Sequence, residues 1–364
     1  MIPVAEPCLD EQVLANVVQA VKTGWVSSQG PFIPEFEDTF AEYCGVKYGI
    51  ATANGTCALH LALTALGIAM GDEVIVPSLT FVATANAVRH AQAKPVFVDS
   101  DPYYWCLDPE KLEAKITRNT KAIIPVHLYG HPCDMDAIAE CARKHNLYVI
   151  EDAAQAHGAE YKGKKVGSFG DIACFSFYGN KLITTGEGGM CLTSSHHLAE
   201  RMKLLRDHAM NPTRRYWHDF VGFNYRMTNL QAGVGVAQLR RLDQFIEKKR
   251  AIARWYEEGL RELEKQGRIR LHPEVAWAKG TYWMYSIVAE DGFVSRDELA
   301  RRLEEVGVET RPFFYPVHIL PPYRDGESLP VSEEIAARGI NLPSGVGLTR
   351  EDVEMIAGQI VAMK

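Results

Sequence analysis

The sequence predicts an α/β protein: a large, mostly parallel sheet covered by helices, followed by a smaller α+β domain. Three observations carry this expectation. From about Val46 to Ser194, short β-branched runs alternate with helical stretches, the pattern of a parallel sheet with crossover helices on both faces. Beyond Leu198 the alternation gives way to a long helical stretch and a compact mixed set of elements. The 364 residues are also too many for one simple core, which favours one large and one smaller domain.

In chain order, VKYGIATA reads as a strand, and NGTCALHLALTALG opens a helix with apolar residues at three- and four-residue spacing. EVIVPS, KPVFVD, KAIIPVHL and LYVIED are further β-branched strands, with helices expected at TANAVRHAQ, PEKLEAKI and MDAIAECARKHN. IACFSF and GMCLTS are two more strands, joined by a Gly-rich loop rather than a helix. One long helical stretch is expected from about Leu230 through Leu263. YWMYSIVA (strand), RDELARRLEEVG (helix), ETRPFFY (strand) and REDVEMIAGQIVAM (helix) then complete the smaller domain. The boundary is placed near residue 245, giving domains 1–245 and 246–364. No repeat or low-complexity tract interrupts them.

Composition narrows the function. A net charge of −7 disfavours a basic nucleic-acid surface, so an anionic substrate must be held by a local site. The eight cysteines include no CxxC pair, and MIPVAEPCLD has neither a basic nor an apolar leader region. Reduced thiols in a cytoplasmic protein are expected. No apolar run approaches the ~18 residues that span a bilayer, so no membrane association is expected.

Ligands of open α/β sheets gather at the carboxyl ends of the strands, and three groups fall there. Asn54-Gly55-Thr56 opens a helix whose free N–H groups could hold a phosphate, although the same tripeptide is a good N-capping turn. Glu151-Asp152 ends LYVIED, where a carboxylate suits a cationic ring nitrogen, a metal, a ribose hydroxyl or a simple cap. Lys181 follows IACFSFYGN and precedes a Gly-rich turn. In a tight pocket its ammonium form is destabilised and the amine can form a Schiff base, whereas most lysines are solvated. A phosphate cradle, a carboxylate and a pocket lysine in this order are the parts that a pyridoxal phosphate site requires.

The motifs GWVSSQGPFIPEFE, ANGTCALHLAL, GDEVIVPSLTFVAT, HLYGHPCDM, VIEDAAQAHGA, GDIACFSFYGNK, GEGGM, GFNYRMTNLQA, RPFFYPVH and INLPS span nearly the whole chain. With them the sequence resembles the DegT/DnrJ/StrS family of sugar aminotransferases. That resemblance implies fold type I, the aspartate aminotransferase-like architecture, with pyridoxal 5'-phosphate as cofactor. Within the family, HLYGHPCDM, FYGNK, YWHD, RPFFYPVH and RGINLPS match the branch that aminates C4 of GDP-4-keto-6-deoxymannose.

By the same resemblance, Lys181 carries the cofactor and is the catalytic base, while Asp152 faces the pyridine nitrogen. Gly55, Thr56 and Ser176 bind the phosphate, Phe81 stacks on the ring, and Gln155 lies near its O3' side. Asn224 reaches the phosphate of a neighbouring subunit, and Ser27 and His318 border the sugar nucleotide. L-glutamate is the implied amino donor and a homodimer with shared sites the implied assembly. Tyr178 stands where some relatives carry histidine. A dehydratase branch replaces the lysine itself with histidine, so retention of Lys181 favours transamination.

The rival readings are a dTDP- or UDP-linked keto sugar as substrate, or a non-catalytic regulatory protein on the same fold. A nicotinamide dehydrogenase would need a GxGxxG after the first strand, which is missing. No metal is expected: Gly130 and Pro132 break any helix that would align His127 with His131. His196-His197 and the run from Glu247 to Arg250 read as solvated surface. Trp217 and His218 read equally as cleft lining or as packing at a domain or subunit contact.

Overall fold

A computed structural model describes residues 1–324 and 326–363. Its centre is a sheet of seven strands: β1 (Tyr48–Thr52), β2 (Glu73–Pro77), β3 (Lys94–Val98), β4 (Thr120–Ile123), β5 (Tyr148–Asp152), β6 (Ile172–Ser176) and β7 (Gly189–Thr193). They lie in the order β1-β7-β6-β5-β4-β2-β3. Only β7 runs against its neighbours; the other pairings are parallel. β7 can return beside β6 because a Gly-rich loop, not a crossover helix, joins them.

Alternation along each strand divides the core between two faces. On one, Val74, Val76, Ile124, Ile150 and Cys174 pack under helices α3 (Gly55–Ala65), α4 (Ala83–His90) and α6 (His196–Arg206). On the other, Ile75, Ile123 and Val149 meet Ile138 and Ala142 of α5 (Met135–His145). Further along that face, Phe175 and Phe177 meet Phe36, Phe40 and Val236. Those residues belong to α2 (Phe32–Cys44) and α7 (Asn229–Leu239), beside α1 (Glu11–Thr23). Gly235 is what lets α7 lie so close: a Cβ there would stand 2.7 Å from the Phe36 ring.

The C-terminal part is built on a four-stranded antiparallel sheet ordered β8-β9-β11-β10, from β8 (Ile269–Arg270), β9 (Tyr285–Ala289), β10 (Arg311–Pro312) and β11 (Gly339–Leu342). Helices α8 (Leu242–Lys265), α9 (Arg296–Glu305) and α11 (Arg350–Val361) share its core; α10 (Pro330–Arg338) leads into β11. Residue 245 falls in the first turn of α8, where Phe245 and Ile246 still pack with the large sheet, whereas Ile252 and beyond pack with the small one. The extreme N-terminus crosses over: Ile2 pairs with Val308, and Val4 accepts from the Ser344 N–H.

Three expectations change. The helix expected from Leu230 to Leu263 is two helices, broken at Arg240-Arg241 without glycine or proline. Contacts to the N-terminal segment hold the break: Arg241 binds Asp10, and the Gln238 amide donates to the Cys8 carbonyl. PEKLEAKI forms only two 3₁₀ turns; so short a segment needs tertiary support to stay helical. The charged run from Glu247 is not all solvated, because Lys249 is 3% exposed and donates to the Trp283 carbonyl at 2.8 Å.

The end of β5 shows how alternation sorts two adjacent acids. Glu151 is fully buried and accepts from the N–H groups of Gly167, Phe169 and Gly170 at 2.7, 2.7 and 2.8 Å. His127 also binds it, at 3.1 Å. Burial opposes its charge, but His127 and these N–H donors outweigh it and hold the carboxyl below its ordinary range. Its stabilisation is therefore present above the ordinary carboxylate pKa and is lost as acid protonates it below that. Glu151→Gln, which keeps the volume but not the charge, should cost about 2–4 kcal/mol in urea unfolding. A loss under about 0.5 kcal/mol, the range of ordinary surface changes, would show that Glu151 does not organise this loop.

Candidate active site

The carboxyl ends of β1, β2, β5 and β6 open into a cavity of about 620 Å³, closed from the opposite side by Trp283, Met284, Arg311 and Asn341. At one end stands the start of α3. Asn54 caps it, its side chain accepting from Cys57 N and its carbonyl from Ala58 N. The Gly55 and Thr56 N–H groups have no carbonyl four residues back in the helix. Among the described residues they have no other protein partner. A Cβ on Gly55 would lie 2.8 Å from Ser176 Cβ, so glycine is what allows α3 to begin against β6. The Ser176 hydroxyl accepts one long bond from Tyr178 N, at 3.4 Å.

Asp152 enters the cavity from β5. Its carboxylate accepts from the Thr84 hydroxyl at 2.8 Å and the Ala154 N–H at 3.2 Å. Burial nevertheless raises its pKa, against the pull of Thr84, Ala154 and Lys181. Gln155 accepts from Tyr129 N at 2.9 Å, which fixes its amide beside the cavity. Phe81 is half exposed at the mouth, 5.6 Å from the Phe314 ring.

Lys181 lies across from Asp152, on the turn closed by its own N–H to the Tyr178 carbonyl. Its Nζ sits 3.7 Å from the centre of the Trp283 ring. Burial lowers its pKa to about 7, with Asp152 opposing the fall. Amine and carboxylate are each moved toward neutrality by the same loss of water. A lysine that is substantially unprotonated at neutral pH can serve as nucleophile and base.

Three sequence candidates stand apart from this cavity. His318 is 1% exposed, and both its nitrogens are engaged, Nδ1 with Ser78 Oγ at 2.6 Å and Nε2 with Glu333 at 3.2 Å. Asn224 is exposed, accepting from Arg226 Nε at 2.9 Å. Ser27 is exposed on the loop after α1. Asn229 ties that loop to the start of α7, its N–H donating to the Ser27 carbonyl and its side chain to the Trp25 carbonyl.

Trp217 and His218 are exposed and do not line the cavity. Conversely Thr84, Trp283, Arg311 and Asn341 were not singled out from sequence. GDEVIVPSLTFVAT, YWMYSIVA, RPFFYPVH and INLPS did mark their segments, but only proximity reveals which side chain faces the cavity.

His127 and His131 are each bonded to protein groups. His127 is taken by Glu151 and Cys133 N, and His131 by the Pro132 carbonyl and Val275 N. Among the described residues one group, Glu113, Cys141 and His145, has ligand spacing, but the Lys144 ammonium already occupies Glu113 at 2.5 Å. All eight cysteines are free, and among the described residues no helix is long and apolar enough to cross a membrane.

A doubly covered sheet of this order, with a lysine facing a carboxylate at its carboxyl edge, is the architecture of fold type I transferases. The chain belongs to the DegT/DnrJ/EryC1/StrS aminotransferase family, whose pattern matches residues 7–361. It is 52% identical to GDP-perosamine synthase of Caulobacter vibrioides, over 98% of this chain and 96% of that protein. It is 48% identical to GDP-perosamine synthase of Escherichia coli O157:H7, over 99% and 97%. The solved structure of an aminotransferase from Streptoalloteichus hindustanus, 34% identical, superposes with a TM-score of 0.94 over 100% of this chain and 98% of that one.

The electrostatic pairing is directly measurable. In cofactor-free protein, competitive acetylation of Lys181 followed by peptide mass spectrometry should titrate with a midpoint of about 7. Asp152→Asn removes the charge that favours the ammonium, so the midpoint should move lower. An unchanged or higher midpoint would mean that the two groups are not coupled.

Proposed function

We propose that this protein transfers an amino group from L-glutamate to C4 of GDP-4-keto-6-deoxymannose, giving GDP-perosamine, with pyridoxal 5'-phosphate held at Lys181. The observation that carries the reading is the desolvated Lys181 facing the buried Asp152 at the carboxyl edge of the sheet. The identity to GDP-perosamine synthases over nearly the whole chain supports the choice of substrate. On this reading residues 1–245 carry the cofactor and residues 246–364 close over it.

The residues present suit the cofactor. The unpartnered N–H groups of Gly55 and Thr56 and the Ser176 hydroxyl, at a helix start, would hold its phosphate. A protonated ring nitrogen would give Asp152 the counter-charge that burial makes costly to omit. Phe81 offers an aromatic face, and the Gln155 amide a donor held in place by Tyr129. When bound, the cofactor supplies an aldehyde that joins amines and a ring that takes up the electrons of an adjacent C–H bond.

The chain's own residues do the rest. Asp152 keeps a proton on the ring nitrogen. Lys181 Nζ, substantially neutral near pH 7, can take a proton from the substrate carbon that bears the nitrogen and hold it for return. Arg311 is a cation on the cavity wall and suits the anionic groups of donor and acceptor. Met284 and the Trp283 ring exclude water from the amine.

The site is completed by a second copy of the chain. Asn224 and Ser27 lie outside the cavity of their own chain, and Asn229, five residues after Asn224, ties the start of α7 to the Ser27 loop. Exposed Trp25, Val26, Phe220 and Val221 surround them in sequence. Such a surface suits an isologous dimer, with Asn224 reaching the partner's phosphate and Ser27 its sugar nucleotide. His318, enclosed by Ser78 and Glu333, acts on substrate only through the packing of the RPFFYPVH segment.

Incubation with glutamate and a panel of GDP-, dTDP- and UDP-4-keto-6-deoxy sugars, read by mass spectrometry, should yield the aminated GDP sugar first. Amination of only a dTDP or UDP sugar would overturn the substrate. Borohydride should fix a pyridoxyl group on Lys181, and Asp152→Asn should lower turnover by about 10²-fold or more. Near-full activity in that variant would remove Asp152 from the mechanism.

Mixing inactive Lys181→Ala with Asn224→Asp, which sets a negative charge against the phosphate, tests the shared site. Re-paired dimers should regain activity, because one site then carries both lesions and the other none. A mixture that stays dead would place Asn224 within its own chain.

A further inference from the structure

Lys249 is a buried lysine outside the cavity, with no carboxylate partner among the described residues. Its ammonium reaches two neutral oxygens, the Trp283 carbonyl at 2.8 Å and Ser344 Oγ at 3.3 Å. Burial lowers its pKa to about 7, so its place on α8 has an electrostatic cost that a leucine would avoid. What it grips is the residue beneath the reactive amine. The Trp283 indole N–H donates to the Asn180 carbonyl at 2.7 Å, one residue before Lys181. Its ring face lies 3.7 Å from Lys181 Nζ, and Tyr129 stacks near it at 6.3 Å and 22°. Ser344 in turn accepts from Tyr285 N at 3.2 Å, holding the strand that follows.

We infer that Trp283 and Lys249 are positioning residues for Lys181, acting in series. Lys249 pins the Trp283 backbone to α8, the indole N–H fixes the Asn180-Lys181 turn, and the ring face holds the amine opposite Asp152. The indole also favours the ammonium form through its negative face. Other groups acting on the Lys181 charge are Asp152 and His157. Tyr178, Glu187 and Arg311 line the same cavity. The value of this strut for catalysis rests on Lys181 being the cofactor lysine, but its existence does not, and cofactor-free protein suffices to test it.

The readout is the acetylation midpoint of Lys181 in folded, cofactor-free protein, with thermal unfolding recorded for every variant. Trp283→Leu removes the aromatic face but keeps an apolar side chain over the amine, so water stays excluded and the midpoint should fall by about 0.5–1 pH unit. Trp283→Phe keeps a face and should fall by less than half as much. Lys249→Met should lower the midpoint in the same direction by a smaller amount, and should add nothing in the Trp283→Leu background.

Sign separates this from a direct charge effect, since deleting a nearby ammonium would raise the midpoint. An upward shift in Lys249→Met overturns the series. So does an equal shift in both backgrounds, or no shift in Trp283→Leu. Should Lys249→Met fail to fold, the Phe and Leu variants at 283 still decide whether the indole face acts on Lys181.

Discussion

A primary amine kept largely out of water opposite a buried carboxylate is the constraint on which the rest of this architecture turns. Lys181 and Asp152 both lose hydration at the carboxyl edge of the sheet, and each is driven toward its neutral form. Neither could be held so within one layer of structure. The large sheet supplies the two strand ends, and the C-terminal part supplies the indole that covers the amine. The two parts must therefore be registered against each other for the amine to lie where it does. The Trp283 indole on the Asn180 carbonyl, the Thr281 N–H on the Gly130 carbonyl and the Phe314 N–H on the Tyr129 hydroxyl are among the bonds that register them.

The other end of the cavity obeys a steric condition rather than an electrostatic one. The start of α3 can present unpaired N–H groups only if it comes close to β6, and the contact between Gly55 and Ser176 leaves no space for a Cβ. Asn54 then satisfies the donors of Cys57 and Ala58, and leaves free the two N–H groups that face the cavity. A capping turn and a pair of free N–H groups suited to an anion are the same structure here, divided between successive N–H groups. The two readings of Asn54-Gly55-Thr56 open from sequence were thus compatible.

Much of the large sheet was legible because its periodicity is strong. The seven main-sheet segments are strands, and NGTCALHLALTALG, MDAIAECARKHN, RDELARRLEEVG and REDVEMIAGQIVAM contain helices near the expected places. The elements that escaped are those whose cause is distant in sequence. Helices α1 and α2, ahead of the alternating region, owe their place to α7: Phe32 and Phe36 of α2 lie against Gly233 and Gly235, and Asn16 of α1 donates to the Gly233 carbonyl. The break at Arg240-Arg241 depends on Asp10 and Cys8 some 230 residues away, and no local signal marks it. Lys249 looked solvated because EKKR is a polar run, yet it is buried against the Trp283 carbonyl, and Arg250 beside it donates to the Gly280 carbonyl.

The sequence by itself determined the α/β order, the chemical kinds of group at each strand end and the family to which the chain belongs. Those follow from local periodicity and from motifs whose residues are neighbours along the chain. Asp152 and Lys181 were chosen by family resemblance; periodicity alone did not determine which of two adjacent acids enters the cavity, how far the lysine is desolvated, or which aromatic residue covers it. Strand alternation sends Glu151 into a nest of N–H donors and Asp152 into the cavity, but the faces acquire meaning only once the sheet is assembled. Desolvation is a property of everything packed around a group. Lys181 therefore acquires its depressed pKa, and Trp283 its place over the amine, only when segments about a hundred residues apart close on each other.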